Sequence, residues 1–585
     1  MNDLVTKADL QETDFNSLKV PFVNDFLMWM LKIKEINTIY KRVMPRDGLE
    51  FIDGVLQELN IKYKVSEEEL RHIPEEGPFL TVSNHPFGLL DGMILIKIIA
   101  ERRPDFKVMA NFLMNKVTPV QDFVIAVNPF EQNRAVTLKG IRQTLTHIQN
   151  GHPVGIFPAG EVSTKQPETA HIEDREWQKT SLKLIKRAAV PIVPIYFQGT
   201  NSVSFHILGK ILPALRTAGL PSELLNKQNQ TLPLRIGSPI PFKEIEEFDD
   251  LSKAGRFLRT MVYGLGSALE VKKFFRPGAQ ALPKQEEIVA PAPEDEVKQE
   301  IEALRESEYF LGTKKQFEIF IAPAQEIPQL MHEIGRIREI TFRAVGEGSN
   351  RKIDIDEFDL YYKHLFLWDK EEEQIAGAYR LGFGDQIIKQ HGRKGFYISS
   401  LFDMDSPLDP ILAQSMELGR SFVAQDYQRR PMPLFILWQG ILEALTRNPQ
   451  FKYLIGPVSI SNNYSEFSKE LLIAFIKKYY FNHELAQYVR PKHAFSVSSK
   501  LDSDILLEKF KDNVNQLDKY IAAFEPDRYK VPILLKKYMK QNAQIMSFNI
   551  DPRFNDSLDG LMILDLEKLP DSTLENLKRK AYEQS

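Results

Sequence analysis

The chain has 585 residues, with 75 lysines and arginines against 79 aspartates and glutamates, a balance that offers no basic stripe for nucleic acid. It has no cysteine, which excludes disulfides, thiolate metal centres and cysteine nucleophiles together and fits a reducing compartment. With 43% apolar and 26% charged residues, two or three globular domains are expected, each with ample core.

Met1 to Gln11 is polar and reads as no signal peptide, and no run approaches the roughly 20 apolar residues a spanning helix needs. Val20–Val43 is rich in Phe, Leu, Met, Trp and Ile, with Lys32, Lys34, Lys41 and Arg42 gathered late. Such a segment fits a helix lying in a membrane interface and equally a helix packed on its own domain; Phe205–Leu220 poses the same choice. Apolar runs at Phe79–Val82, Phe123–Val127, Val154–Phe157 and Ile192–Phe197 predict strands. Leu89–Ala100, Thr137–Gln149, Trp177–Ala188 and Leu251–Phe275 predict helices, and the alternation predicts an α/β domain.

Ser83-Asn84-His85-Pro86-Phe87-Gly88-Leu89-Leu90-Asp91-Gly92 lies where the first of these strands hands over to a helix. An imidazole with a carboxylate nearby takes a proton from an alcohol, because the carboxylate fixes the tautomer and stabilises the imidazolium. Three further blocks follow: Phe123–Phe130 (FVIAVNPF) ahead of Asn133 and Arg134, Gly155–Ser163 (GIFPAGEVS), and Val190–Ile195 (VPIVPI). Pro277–Glu300 then breaks the composition with Pro, Ala, Gln and Glu, as an exposed linker does. The expected domains are therefore 1–276 and 301–585, with 277–300 between them.

In the second half Gln316–Ile321 alternates like a strand, Ile327–Arg343 reads as an amphipathic helix, and Tyr362–Asp369, the turn Asp369–Gln374 and Ile375–Leu381 form a hairpin signal. Met416–Val423 (MELGRSFV) precedes a helical run, Leu434–Leu445.

The four ordered blocks resemble the glycerolipid acyltransferases over about residues 70 to 240. The resemblance implies acyl transfer from a thioester to a hydroxyl, with His85 as general base, Asp91 as its orienting partner, Asn84 and Arg134 at the substrate, and amides around Pro158, Ala159 and Gly160 for the oxyanion; Glu161, two places from the family's carboxylate, is placed to meet a cationic or hydroxylated acceptor. Two departures stand out. Family members usually place four residues between the His and the Asp, where Pro86–Leu90 makes five, and Gly88 is the residue able to absorb the extra one. The third block carries Val162 where the family has an arginine. A guanidinium is the natural bidentate partner of a phosphate monoester, so its loss argues against a glycerol-phosphate acceptor.

The second half is similar to the ornithine N-acyltransferases, a lipid-forming GNAT branch, at Arg338 and Phe342, Asp356 and Asp359 with His364, Tyr379 and Arg380, and Glu417 with Arg420. This implies a GNAT-like α/β domain in which Glu417 deprotonates an amine, Asp356 and Asp359 hold the rest of a cationic amino acid, and Arg380 and Arg420 bind its carboxylate or order Glu417. In the stretch matching the family's pyrophosphate loop, Gln428–Pro433 (QRRPMP), proline replaces both small residues. Proline has no amide to donate, which favours acyl carrier protein over acyl-CoA as carrier of the phosphopantetheine thioester.

Together the halves resemble the bifunctional bacterial ornithine-lipid synthases. The implied partners are acyl carrier protein, the inner face of the cytoplasmic membrane, ornithine and a lyso-aminolipid, with no tightly bound cofactor and no metal. A glycine or other aminolipid synthase, a lysophospholipid acyltransferase fused to a separate GNAT, and a catalytically defunct binding scaffold are the alternatives.

Overall fold

The computed structural model describes residues 32–111, 117–127, 134–166, 171–206, 213–269, 284–430, 432–496 and 501–573. The chain forms two compact units. The first holds Met1–Val271 with Lys500–Lys509 and Ala522–Arg528, and the second Lys272–Ser499, Phe510–Ile521 and Tyr529–Ser585.

In the first unit, strands β1 (Lys62–Lys64), β2 (Leu80–Ser83), β3 (Lys107–Asn111), β4 (Val124–Val127), β5 (Val154–Ile156), β6 (Ile192–Phe197) and β7 (Thr231–Ile236) form one sheet in the order β1-β7-β6-β2-β5-β3-β4. Neighbours run parallel except β6 and β7. Its helices include α1 (Leu89–Ala100), α2 (Arg134–Gln149), α3 (Lys179–Ala188) and α4 (Leu251–Ser267). All four residues of β2 are buried, so this short strand is apolar on both faces, as a central parallel strand must be. Loops leaving the carboxyl ends of β2, β5 and β6 therefore sit side by side, the usual place for a site in an open α/β sheet.

The described part of the early amphipathic segment turns inward: Ile33, Ile36, Tyr40 and Val43 are buried, and Tyr40 and Val43 join the main core of the unit. The rest of that segment and residues 207–212 lie outside the described residues, while Pro213–Leu220 belong to the helix Pro213–Asn226. Two C-terminal pieces counted with 301–585 from sequence belong to the first unit. Phe524, fully buried, occupies the space above Gly264 of α4, where a Cβ would come within 2.5 Å of its ring.

The second unit carries an eight-stranded sheet of β8 (Phe310–Lys314), β9 (Phe317–Pro323), β10 (Lys363–Asp369), β11 (Gln374–Phe383), β12 (Ser415–Val423), β13 (Tyr453–Ile460), β14 (Gln544–Asp551) and β15 (Ser557–Asp565), ordered β8-β9-β10-β11-β12-β13-β15-β14. β12 and β13 pair in parallel through Ser415–Glu417 and Tyr453–Ile455 only; the other neighbours are antiparallel. Helix α5 (Glu294–Arg305) corrects the linker boundary. Ala292, Val297, Ile301 and Leu304 enter the core shared with α6 (Pro328–Ala344), and Glu286 and Val289 donate backbone hydrogen bonds to Asn350 and Lys352. Those apolar residues recur at helical spacing, which the surrounding Pro, Gln and Glu conceal. Gly440 of α7 (Met432–Thr446) brings that helix close to Leu365 and Ile319 of the sheet.

Cross-strand partners share a face of a sheet. The register pairs His364 with Arg380, Gly382 with Glu417, Glu417 with Ile455, and Ser459 with Asp559, so His364, Arg380, Glu417 and Asp559 line one face. Arg420, an odd number of residues from Glu417, would point away in a regular strand. A register shift against β11 and a left-handed φ of 48° re-aim it inward, the work of a β-bulge.

Candidate active sites

In the first unit, Asn84 clamps the end of β2 to β6: Phe197 N donates to its Oδ1 at 2.7 Å and its Nδ2 donates to Phe197 O at 2.9 Å. The next residue, His85, presents Nδ1 to Asp91 Oδ2 at 3.0 Å. That same oxygen accepts from Phe87 N and Gly88 N, both at 2.9 Å. Asp91 is fully buried in the first turn of α1, whereas His85 keeps 18% of its side-chain surface. The five-residue spacing closes because Gly88, the residue before α1, adopts φ 88° and ψ −112°, a conformation closed to residues with a Cβ. A Cβ there would also stand 2.7 Å from Leu220 Cδ2 and 3.3 Å from Val162 Cγ2. Gly88→Ala is expected to cost about 1–3 kcal/mol of backbone strain and to lower O-acylation more than a surface substitution does, read from thermal unfolding beside ester formation.

The imidazole stacks on Phe157 with centroids 4.2 Å apart, and its Nε2 has no hydrogen-bond partner among the described residues. Asp174 was not singled out from sequence, where it is one acid among several. It accepts from His85 N at 3.2 Å, Ser163 Oγ at 2.6 Å and Trp177 Nε1 at 3.3 Å, while its own N–H donates to Tyr263 OH at 2.8 Å. Burial pushes its carboxyl pKa up. It thus ties the His85 loop to the loop after β5, and Ser163 N closes the tie onto His85 O at 2.8 Å.

Two expectations change here. Glu161 pairs with Arg175 Nη1 at 3.2 Å on the surface, so a cation of the protein stands where a cationic acceptor was expected. Gly160 N donates back to Phe157 O at 3.0 Å and Pro158 has no N–H, so of the three residues expected around the oxyanion these two do not supply the donor. Pro158 instead accepts from Gln178 N at 3.0 Å. Val162 is buried beside Gly88, making this wall of the site apolar. Arg134 opens α2, and its side chain lies outside the described residues.

In the second unit Arg338, 1% exposed, donates through Nε to Asp354 Oδ2 at 2.8 Å and through Nη1 and Nη2 to Asp359 at 3.2 and 3.0 Å. Arg380 Nη1 reaches Asp356 Oδ1 at 2.5 Å and Asp359 Oδ1 at 3.2 Å, and Arg420 Nη2 reaches Asp356 Oδ2 at 3.3 Å. Three guanidinium groups face three carboxylates, and Arg338 and Arg380 hold Asp359 far below the usual carboxylate range against the cost of burial. The expectation that Asp356 and Asp359 hold a substrate cation is therefore overturned, because their charge is already matched inside the protein. His364 Nε2 donates to Asp359 O at 3.1 Å; burial pushes it down to about 4, leaving it neutral. Phe342 packs at the edge of the α5–α6 core, away from these charges.

Glu417 is 1% exposed. Its oxygens accept from Tyr362 OH, from Tyr397 N at 3.1 Å and from Ile398 N at 2.9 Å, and burial pushes it up to about 7. Both oxygens are engaged in pinning the Tyr397 segment to the sheet. Arg380 lies 5.5, 5.3 and 5.2 Å from the ring centroids of Phe358, Tyr362 and Tyr397, and Arg420 lies 5.0 and 4.4 Å from those of Tyr397 and Phe554.

Two family models match the chain: Acyltransferase over residues 16–272 and Acetyltransferase (GNAT) domain over residues 337–439. The glycine N(alpha)-acyltransferase of Bacteroides thetaiotaomicron is 30% identical over 308 residues, 50% of this chain and 90% of that protein. The chain belongs to the acyltransferases. This acyltransferase is also similar to the lyso-glycine lipid O-acyltransferase of Phocaeicola vulgatus, 27% identical over 251 residues, 42% of the chain and 88% of the relative. The L-ornithine N(alpha)-acyltransferase of Rhizobium meliloti is 36% identical over 110 residues, 18% of the chain and 36% of the relative. The acyltransferase thus joins an O-acyl and an N-acyl transfer domain, each about the size of a whole relative. Among its described residues no helix is long and apolar enough to cross a membrane.

Proposed function

We propose that the two units carry out successive steps of aminolipid synthesis. The second unit transfers a 3-hydroxyacyl group from acyl carrier protein to the α-amine of an amino acid, and the first unit then esterifies the new lipid's 3-hydroxyl with a second acyl chain. The single observation that carries the reading is the closed His85–Asp91 pair beside a buried Val162: an alcohol-activating dyad next to an apolar side chain that cannot bind phosphate, which suits the hydroxyl of a lyso-lipid without a phosphate.

With the proton of the resting imidazole on Nδ1, held by Asp91, Nε2 takes the hydroxyl proton as the alcohol oxygen attacks the thioester carbonyl. The tetrahedral intermediate collapses, the C–S bond breaks, and Nε2 returns the proton to the departing thiolate. Asp174 acts by positioning the His85 backbone.

The head group we propose is ornithine. Glycine is the second reading, favoured by the glycine N-acyltransferase relatives that match over almost their full length. Both readings place the chain on the inner face of the cytoplasmic membrane, where acyl carrier protein meets lipid. The test is lipid mass spectrometry of a bacterium without aminolipids that expresses the full chain. A new diacylated ornithine lipid supports the reading, a glycine lipid changes the head group alone, and altered phosphatidic acid with no aminolipid sinks it.

A further inference from the structure

Beyond the arginine-matched aspartates, the second unit holds a second acidic group, Glu347, Asp551 and Asp559, whose only ion pair among the described residues is the long one from Arg553 to Asp551. The loop after α6 is tied to the end of β13 and to the β14–β15 turn: Ser461 Oγ and Asn463 Nδ2 donate to Val345 O at 3.1 and 3.4 Å, and Asn555 Nδ2 donates to Gly346 O at 3.0 Å. These bonds carry Glu347 to the place where Asp551 and Asp559 already stand, 1% and 3% exposed.

Asp559 accepts from Ser459 Oγ at 2.6 Å. Asp551 Oδ1 accepts from Arg553 N at 2.9 Å, and its Oδ2 is enclosed with no partner. Arg553, 57% exposed, stands off Asp551 Oδ1 at 3.7 Å and donates through Nη2 to Ser400 Oγ at 3.0 Å. Among the described residues no lysine or arginine forms an ion pair with Asp559 or Glu347. Burial pushes Glu347 up to about 7; burial, with Asp551 and Glu347 adding negative charge, pushes Asp559 up to about 8. The bulge at Arg420 aims its guanidinium at the same place, walled by Phe554 and Tyr397, and its buried Nε makes no hydrogen bond.

We propose that Asp551, Asp559 and Glu347 receive the second, non-reacting ammonium of a diamino-acid substrate. The inference rests on the N-acyltransferase reading above. An amine must be neutral to attack a thioester, and a nest of carboxylates holds an amine protonated, so these acids oppose reaction at any nitrogen they bind. They suit an ammonium that stays charged throughout. Buried carboxylates without a counter-charge are costly, and an arriving ammonium supplies what the fold leaves out. Glycine has no second amine to offer.

The test gives the purified full chain a 3-hydroxyacyl thioester of acyl carrier protein with ornithine, norvaline or glycine as acceptor, and quantifies N-acylated product by mass spectrometry. Norvaline keeps the carbon skeleton of ornithine and lacks its second amine. The expected wild-type kcat/KM favours ornithine over norvaline by roughly 30-fold or more, the worth of a charge-assisted contact, and Asp559→Asn brings that ratio to within a few-fold of one. Glu347→Gln, in a loop outside the sheet, serves as a second variant should Asp559→Asn unfold, with the same collapse expected. Equal use of norvaline or glycine by the wild type, or an unchanged ratio in the variants, overturns the proposal. Product from none of the amino acids overturns the N-acyltransferase reading as well, a result distinct from either.

Discussion

A host expressing the chain with His85→Ala accumulates the mono-acylated aminolipid, and its O-acylation falls by about 100- to 10,000-fold, the usual worth of a positioned general base. N-acylation continues, because its groups belong to the second unit. Asp91→Asn is expected to be nearly as damaging for two reasons. An amide presents its oxygen to either the imidazole or the two backbone N–H groups of Phe87 and Gly88 less well than one carboxylate oxygen serves all three, and it no longer stabilises the imidazolium. The measurement is the ratio of mono- to diacylated aminolipid, with supplied lyso-lipid as substrate in a purified assay. Unchanged diacylation in His85→Ala would remove the dyad from the mechanism.

Arg338→Ala is expected to abolish N-acylation through the fold. The side chain holds Asp354 and Asp359, 4% and 1% exposed, and its removal leaves two buried carboxylates sharing the cations that remain. Breaking a buried pair in this way costs about 3–5 kcal/mol, a large part of the stability of a domain. Arg338→Lys recovers only part, since one ammonium replaces a fork that reaches both acids. Denaturant unfolding followed by fluorescence reads the loss, and O-acylation of supplied lyso-lipid persists while N-acylation disappears. Loss of both activities alike would show that the second unit is needed for the first to act.

How much of this is legible beforehand depends on whether the governing contact is local. The His85 loop, Asp91, the apolar helix α1 and the use of Gly88 all follow from the single stretch Ser83–Ala100, and the structure brings His85 and Asp91 together. The hairpin of β10 and β11 is local too. Asp356 and Asp359 look like a cation site in sequence because the arginines that match them come from positions 338, 380 and 420, brought together only by the register of the sheet. Asp551 and Asp559 look like ordinary acids near a turn for the converse reason: what distinguishes them is burial with little positive charge beside them, which no single stretch of chain reveals. Asp174 is invisible for the same cause, since its donors come from His85, Ser163 and Trp177. The segment 284–305 misleads in another way, its prolines and glutamates masking an apolar stripe of Val297, Ile301 and Leu304.

The one-sided binding of Asp91 has a kinetic meaning. Its Oδ2 gathers three donors while Oδ1 has none, so Nδ1 of His85 is permanently engaged and a single ring edge must serve both the incoming alcohol and the outgoing thiolate. In the proposed direct attack of the alcohol on the thioester, with no acyl-enzyme between, both substrates have to be bound at that edge together. The first unit is thereby committed to a ternary complex, with initial-rate lines that intersect when either substrate is varied, and thiol release that waits for the acceptor.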